Sequence, residues 1–123
     1  MILVDASIWI DHFRATNALL DDLLGRQQVL GHPFVTGELA VGSLRARRTL
    51  LGQLDDLVPA YLAQDAEVRA FIEAQRLFGI GIGYVDAHLL ASASITPGCQ
   101  LWTRHKRLGA AAGRLGCAAK VHR

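Results

Sequence analysis

Met1-Ile2-Leu3-Val4-Asp5-Ala6-Ser7 opens the chain and decides its fold class. The apolar run is too short for a helix and has no polar alternation. It reads as a strand buried on both faces, the pattern of a parallel sheet. Asp5 then stands just past the carboxyl end of that strand. In open α/β sheets this edge is where ligands bind. Ser7 is placed to cap a helix from about Ile8 to Arg14, and Asp5 is a competing cap.

Outward from this strand, helical and extended patterns alternate. Leu19, Leu20, Leu23 and Leu24 form a helical stripe, and Gly25 suits its end. Val29 to Thr36 holds a second strand, with Pro33 near a sheet edge or strand start. Thr36 is the expected cap of a helix carrying Glu38, Leu39 and Val41. A further helix is expected from about Arg47 to Leu57, broken by Pro59. Asp65 is the expected cap of a helix over 66–78, with Val68, Phe71, Ile72, Gln75 and Phe78 on one face. Gly79, Gly81 and Gly83 read as a connector, followed by a helix from Tyr84 to about Ser94. Thr96-Pro97-Gly98 is a turn. A strand over 99–103, a helix over 104–112 and a last short strand over 118–121 complete the pattern. Strands alternating with helices predict an α/β fold with a parallel sheet of four to five strands, covered on both faces.

The chain has 123 residues, which suits one domain spanning 1–123. Its hydrophobic share of 51% excludes a disordered chain and suggests a face covered by a partner or a second copy. No apolar run is long enough to span a membrane. No basic segment precedes the first apolar run, so a signal peptide is not expected. Cys99 and Cys117 lack metal-ligand spacing and read as buried thiols of a reducing cytoplasm. Residues 1–86 carry seven Arg/Lys and eleven Asp/Glu, so 7 − 11 = −4. Residues 87–123 carry six Arg/Lys and no acid, giving +6. Such a tail attracts phosphates unless the fold interleaves the two halves.

Glu38 and Asp86 recur in surroundings like those of Asp5, each beside apolar residues near an expected helix start. Hard oxygen ligands of this kind suit Mg²⁺ or Mn²⁺. Such ions activate water and stabilise the leaving oxygen in phosphoryl cleavage. Each acid alone is also explained by a favourable place at a helix N-terminus. Convergence of all three at one sheet edge would make a site.

Four stretches occur in order: Ile2-Leu3-Val4-Asp5-Ala6-Ser7-Ile8-Trp9-Ile10-Asp11, Glu38-Leu39-Ala40-Val41-Gly42, Tyr84-Val85-Asp86-Ala87-His88-Leu89-Leu90-Ala91 and Leu101-Trp102-Thr103-Arg104-His105-Lys106-Arg107-Leu108. Together they resemble the PIN-domain ribonucleases, and most closely the VapC-type toxins of bacterial toxin–antitoxin pairs. The resemblance spans essentially the whole chain. It implies a three-layer α/β/α sandwich and Mg²⁺- or Mn²⁺-dependent endonucleolysis of RNA in the cytoplasm, leaving 5′-phosphate and 3′-hydroxyl ends. It implies a homodimer held in check by a cognate antitoxin, with tRNA or rRNA as substrate and DNA met only through the antitoxin. Asp5, Glu38 and Asp86 take the metal-site positions, and Ser7 and Thr103 are supporting hydroxyls. His105 stands where the family usually has an aspartate. Neutral imidazole is a poor magnesium ligand. His105 is therefore read as a fourth catalytic position that weakens a second metal site or meets a phosphate, with a solvent-facing ring as the plain alternative.

Arg104, Lys106 and Arg107 flank that position and are candidate RNA contacts. Arg45, Arg47 and Arg48 fit a solvated helix face better than an RNA track. Trp9 and Trp102 read as core, and His12, His32, His88 and His122 as structural or surface residues. Helices 8–24 and 66–78 are candidate antitoxin surfaces, with core packing as the competing explanation. Two other readings compete. A site of the haloacid-dehalogenase type would want an aspartate at position 7, and a receiver domain an acidic pair near the first strand. The second is a binding module whose catalysis the His105 change has weakened, acting with an antitoxin in promoter autoregulation.

Overall fold

Ile2–Val4 forms β1, an inner strand of a four-stranded parallel sheet ordered β3-β2-β1-β4. The computed structural model describes residues 1–121. Its elements are α1 (Ala6–Arg14), α2 (Ala18–Gly25), β2 (Val29–Gly31), α3 (Pro33–Ala40), α4 (Arg47–Asp55) and β3 (Val58–Pro59). Then follow α5 (Asp65–Gln75), α6 (Tyr84–Ile95), β4 (Gln100–Trp102) and α7 (Lys106–Arg114). Leu3 pairs with Leu30 on one side and Leu101 on the other.

Successive strand residues point to opposite faces of a sheet. Leu3 and Val4 are both fully buried, and the neighbouring pairs Val29–Leu30 and Leu101–Trp102 are buried too. Both faces are therefore covered, as the apolar run at the N-terminus predicts. Right-handed crossovers place α1 to α4 on one face and α5 to α7 on the other. The packing of α1 on α3, α3 on α4, and α5 on α6 follows that division. Gly31 sits where β2 and the end of α4 approach closely: a Cβ there would lie 3.2 Å from the Leu57 Cβ and 3.3 Å from the Leu54 carbonyl.

Several element boundaries differ from expectation. Asp5, not Ser7, caps α1, because the carboxylate reaches back to the Ser7 N–H. β2 ends at Gly31, and Pro33 starts a helix instead of standing in a strand. The cap of α3 is His32, not Thr36, which lies inside the helix. Proline suits the first helical position because its missing N–H has no intrahelical partner there. Pro59 does not merely break a helix; with Val58 it forms the edge strand β3, where a missing N–H is tolerated. Gln64 caps α5 and Asp65 follows it, with Glu67 accepting a bond from the Gln64 N–H. Arg76 adopts a left-handed conformation and ends α5, so Phe78 leaves the helical face and is exposed. The final strand is reduced to one parallel bridge between Leu101 and Ala118. His122 lies outside the described residues.

Trp9 and Trp102 are core residues, as expected. Cys99 and Cys117 are buried free thiols, and burial raises the pKa of both. No helix among the described residues is long and apolar enough to cross a membrane.

Candidate active site

Asp5 is 6% exposed, yet its carboxylate is surrounded by donors. Oδ1 accepts the Ser7 N–H at 2.8 Å and the Ser7 hydroxyl. Oδ2 accepts the Thr103 hydroxyl. Buried charge is tolerated only with such partners. These bonds join the start of α1 to the segment leaving β4. The hydroxyls extend the network, because Ser7 Oγ accepts the Arg104 N–H at 3.1 Å and Thr103 Oγ1 accepts the His105 N–H at 3.0 Å. Both residues read as supporting hydroxyls thus hold the first acid, and each uses its lone pairs to fix the loop carrying the basic residues.

Asp86 lies in the first turn of α6, where Oδ2 accepts the Gly83 N–H at 3.1 Å. Glu38 lies near the end of α3. Its pKa is raised, first by burial, then by the negative charges of Asp86 and Asp5. The three acids therefore share one electrostatic neighbourhood, although they are 81 residues apart at the extremes, from Asp5 to Asp86. Among the described residues, no group of three His, Cys, Asp or Glu side chains forms a ready-made metal cage. The donor set nevertheless fits Mg²⁺ or Mn²⁺. Such ions keep several waters and need only one or two carboxylates directly. A carboxylate has about four acceptor positions. Asp86 uses one for Gly83, and Asp5 retains capacity beside its three donors.

His105 caps α7, its Nδ1 accepting the Leu108 N–H at 3.2 Å. Its ring is exposed. Only Nε2 is left to meet a metal or phosphate. Sequence reasoning weighed ligand, phosphate contact and solvent for this residue and missed the cap, which an aspartate would supply equally well.

The basic residues separate by their contacts. Arg104 pairs with Asp11 at 3.3 Å. The guanidinium of Arg107 lies over Gly81 in the loop before Asp86. Lys106 is exposed in the first turn of α7. Arg47 donates twice to the Ala40 carbonyl and closes the end of α3, a structural task. With Arg114 bound to the Gln75 carbonyl at 2.6 Å, the basic C-terminal part is partly interleaved with the acidic part.

A groove of about 1030 Å³ opens beside Glu38, lined by Trp9, Phe13, Leu24, Leu44 and Arg45 among others. Of the two candidate antitoxin helices, the one at 8–24 borders this groove and is split into α1 and α2. In α5, Val68 is fully buried and Phe71 and Ile72 pack on the core, so packing explains that apolar stripe.

The sequence reads His32 and His88 as structural or surface residues. Both are buried, and they join α3, α5 and α6. The His32-Pro33 pair was a usable signal, since a residue before an N1 proline is a cap.

No family model matches the chain. The chain is 45% identical over 118 residues to ribonuclease VapC32 of Mycobacterium tuberculosis strain H37Rv, covering 96% of this chain and 95% of that relative. Ribonuclease VapC32 of strain CDC 1551 matches with the same identity and coverage. Near-complete coverage in both directions joins the parallel α/β sheet, and the chain belongs to the VapC-type PIN-domain ribonucleases.

Proposed function

We propose that this ribonuclease cuts RNA internally by metal-assisted hydrolysis, with Mg²⁺ or Mn²⁺ held by Asp5, Glu38 and Asp86. What supports the reading is the chain's membership of this ribonuclease family, together with Glu38, whose pKa is raised first by burial and then by the neighbouring charges of Asp86 and Asp5. Like charges are brought together against their repulsion, and a divalent cation would relieve it. When bound, the metal supplies Lewis acidity at a phosphoryl oxygen and lowers the pKa of coordinated water. Asp5 is held in one orientation by Ser7 and Thr103, so its free acceptor capacity has a fixed direction. Water attacks phosphorus and the 3′-oxygen leaves, giving 5′-phosphate and 3′-hydroxyl ends. Lys106 and Arg107 are exposed beside the fourth site position and would hold flanking phosphates. Unpaired RNA fits best, because a single strand can lie across an open edge; tRNA and rRNA supply such loops.

The protein is proposed to act in the cytoplasm as a homodimer restrained by a cognate antitoxin. A segment of that antitoxin would lie in the groove that opens at Glu38, which mixes apolar residues such as Trp9 and Phe13 with charged ones such as Arg14 and Arg45. Its contact with DNA would be through the antitoxin alone.

The test is cleavage of a mixed tRNA and rRNA pool by the purified protein with Mg²⁺, Mn²⁺ or EDTA. Cuts that need metal and disappear in Asp5→Asn are expected. Absence of cleavage by the folded wild-type protein with either metal would replace this reading by a binding module in which His105 has weakened the site.

A further inference from the structure

We infer that His32 and Ser92 form a latch that positions Glu38 against Asp86. This rests on the metal-site reading above and adds two residues that touch neither metal nor substrate. His32 is 2% exposed and Ser92 is fully buried. His32 Nδ1 accepts the Phe34 N–H at 3.1 Å, so this nitrogen carries no proton. The proton of the neutral ring is then on Nε2, which donates to Ser92 Oγ at 2.9 Å. One imidazole thus caps the helix bearing Glu38 and binds the helix bearing Asp86.

The contacts between α3 and α6 run in reversed order. His32 meets Ser92, the Phe34 ring lies 4.3 Å from the His88 ring, and Glu38 feels the charge of Asp86. His32 precedes Glu38 by six residues, 38 − 32, and Ser92 follows Asp86 by six, 92 − 86. Six helical residues span about 9 Å on each helix. The latch and the acid pair therefore lie about 9 Å apart along each of the two elements. Glu38 and Asp86 repel each other when both are charged, so something must hold their helices together. The latch supplies that restraint at the dry end, where an unmade hydrogen bond is costly.

The experiment is calorimetric titration of Mn²⁺ into the wild-type protein, Ser92→Ala, His32→Asn and Leu20→Ala. His32→Asn keeps a helix-capping side chain and loses the reach to Ser92, which guards against a variant that fails to fold. Leu20→Ala removes a core leucine of α2 and controls for stability alone. Both latch variants should bind Mn²⁺ more weakly, by about threefold to tenfold. Leu20→Ala should bind as the wild type does while melting at a lower temperature. Unchanged affinity in both latch variants, or an equal loss in Leu20→Ala, would overturn the latch. Absence of Mn²⁺ binding by the wild type would overturn the metal reading itself and the latch with it, a result separable from the other two.

Discussion

His32 and His105 both cap helices through Nδ1, but their surroundings give them different behaviour. His105 is exposed, and removing its cap as His105→Ala should cost about 1 kcal/mol, read as a lower urea midpoint. His105→Asp restores an acceptor and should fold as stably as the wild type, so any gain in Mn²⁺ affinity reports on the site alone. His32 is buried, and its pKa falls from 6.5 to about 4, first through burial and then through His88. Above pH 6.5 the ring is neutral folded or unfolded, and pH has no effect through it. Between 6.5 and about 4 the unfolded chain takes up a proton that the folded chain refuses. Stability therefore falls on acidification across that window, by roughly 3 kcal/mol. Urea unfolding at pH 7 and pH 4.5 should show this slope in the wild type, and His32→Asn should flatten it. Residue identity singles out Asp5, Glu38 and Asp86 as candidates, because acids beside apolar runs stand out. It did not mark Ser92, since a serine inside an apolar helix gives no sign of its partner 60 residues away.

At the scale of elements, boundaries turned on capping chemistry that only local geometry resolves. The sequence reads a strand within 29–36, and the structure ends it at Gly31 and starts α3 at Pro33. Pro33 settles the matter once β2 is limited by Gly31, where the backbone closes on Leu57. The loop between α5 and α6 is similarly constrained. Gly81 has φ of +83°, and a Cβ there would displace the Arg107 side chain. Gly81→Ala should destabilise by roughly 1–2 kcal/mol through the left-handed backbone alone. It should also release Arg107 from the loop that leads to Asp86. A salt-dependent change in RNA affinity, compared with Arg107→Ala, would reveal that second effect.

Across the whole molecule, one main core joins both faces of the sheet to all the helical layers. Leu90 is fully buried in α6, between the turn that carries Asp86 and the end of that helix. Leu90→Ala should cost about 2–5 kcal/mol, measured by urea unfolding, with a loss near the upper end if the site cannot collapse. The alternation of strands and helices, the parallel sheet and the first acid at the end of β1 follow from the sequence alone, whereas the edge strand β3 does not. Short unbroken apolar runs satisfy only a sheet covered on both faces, and their ends are fixed by the next polar residue. What the tertiary structure decided is which side chains meet. The Asp5 cradle joins residues 98 positions apart, and the residue capping α3, His32, meets Ser92 of α6. Contacts of that kind depend on how the helices pack in three dimensions, and periodicity along one chain carries no record of it.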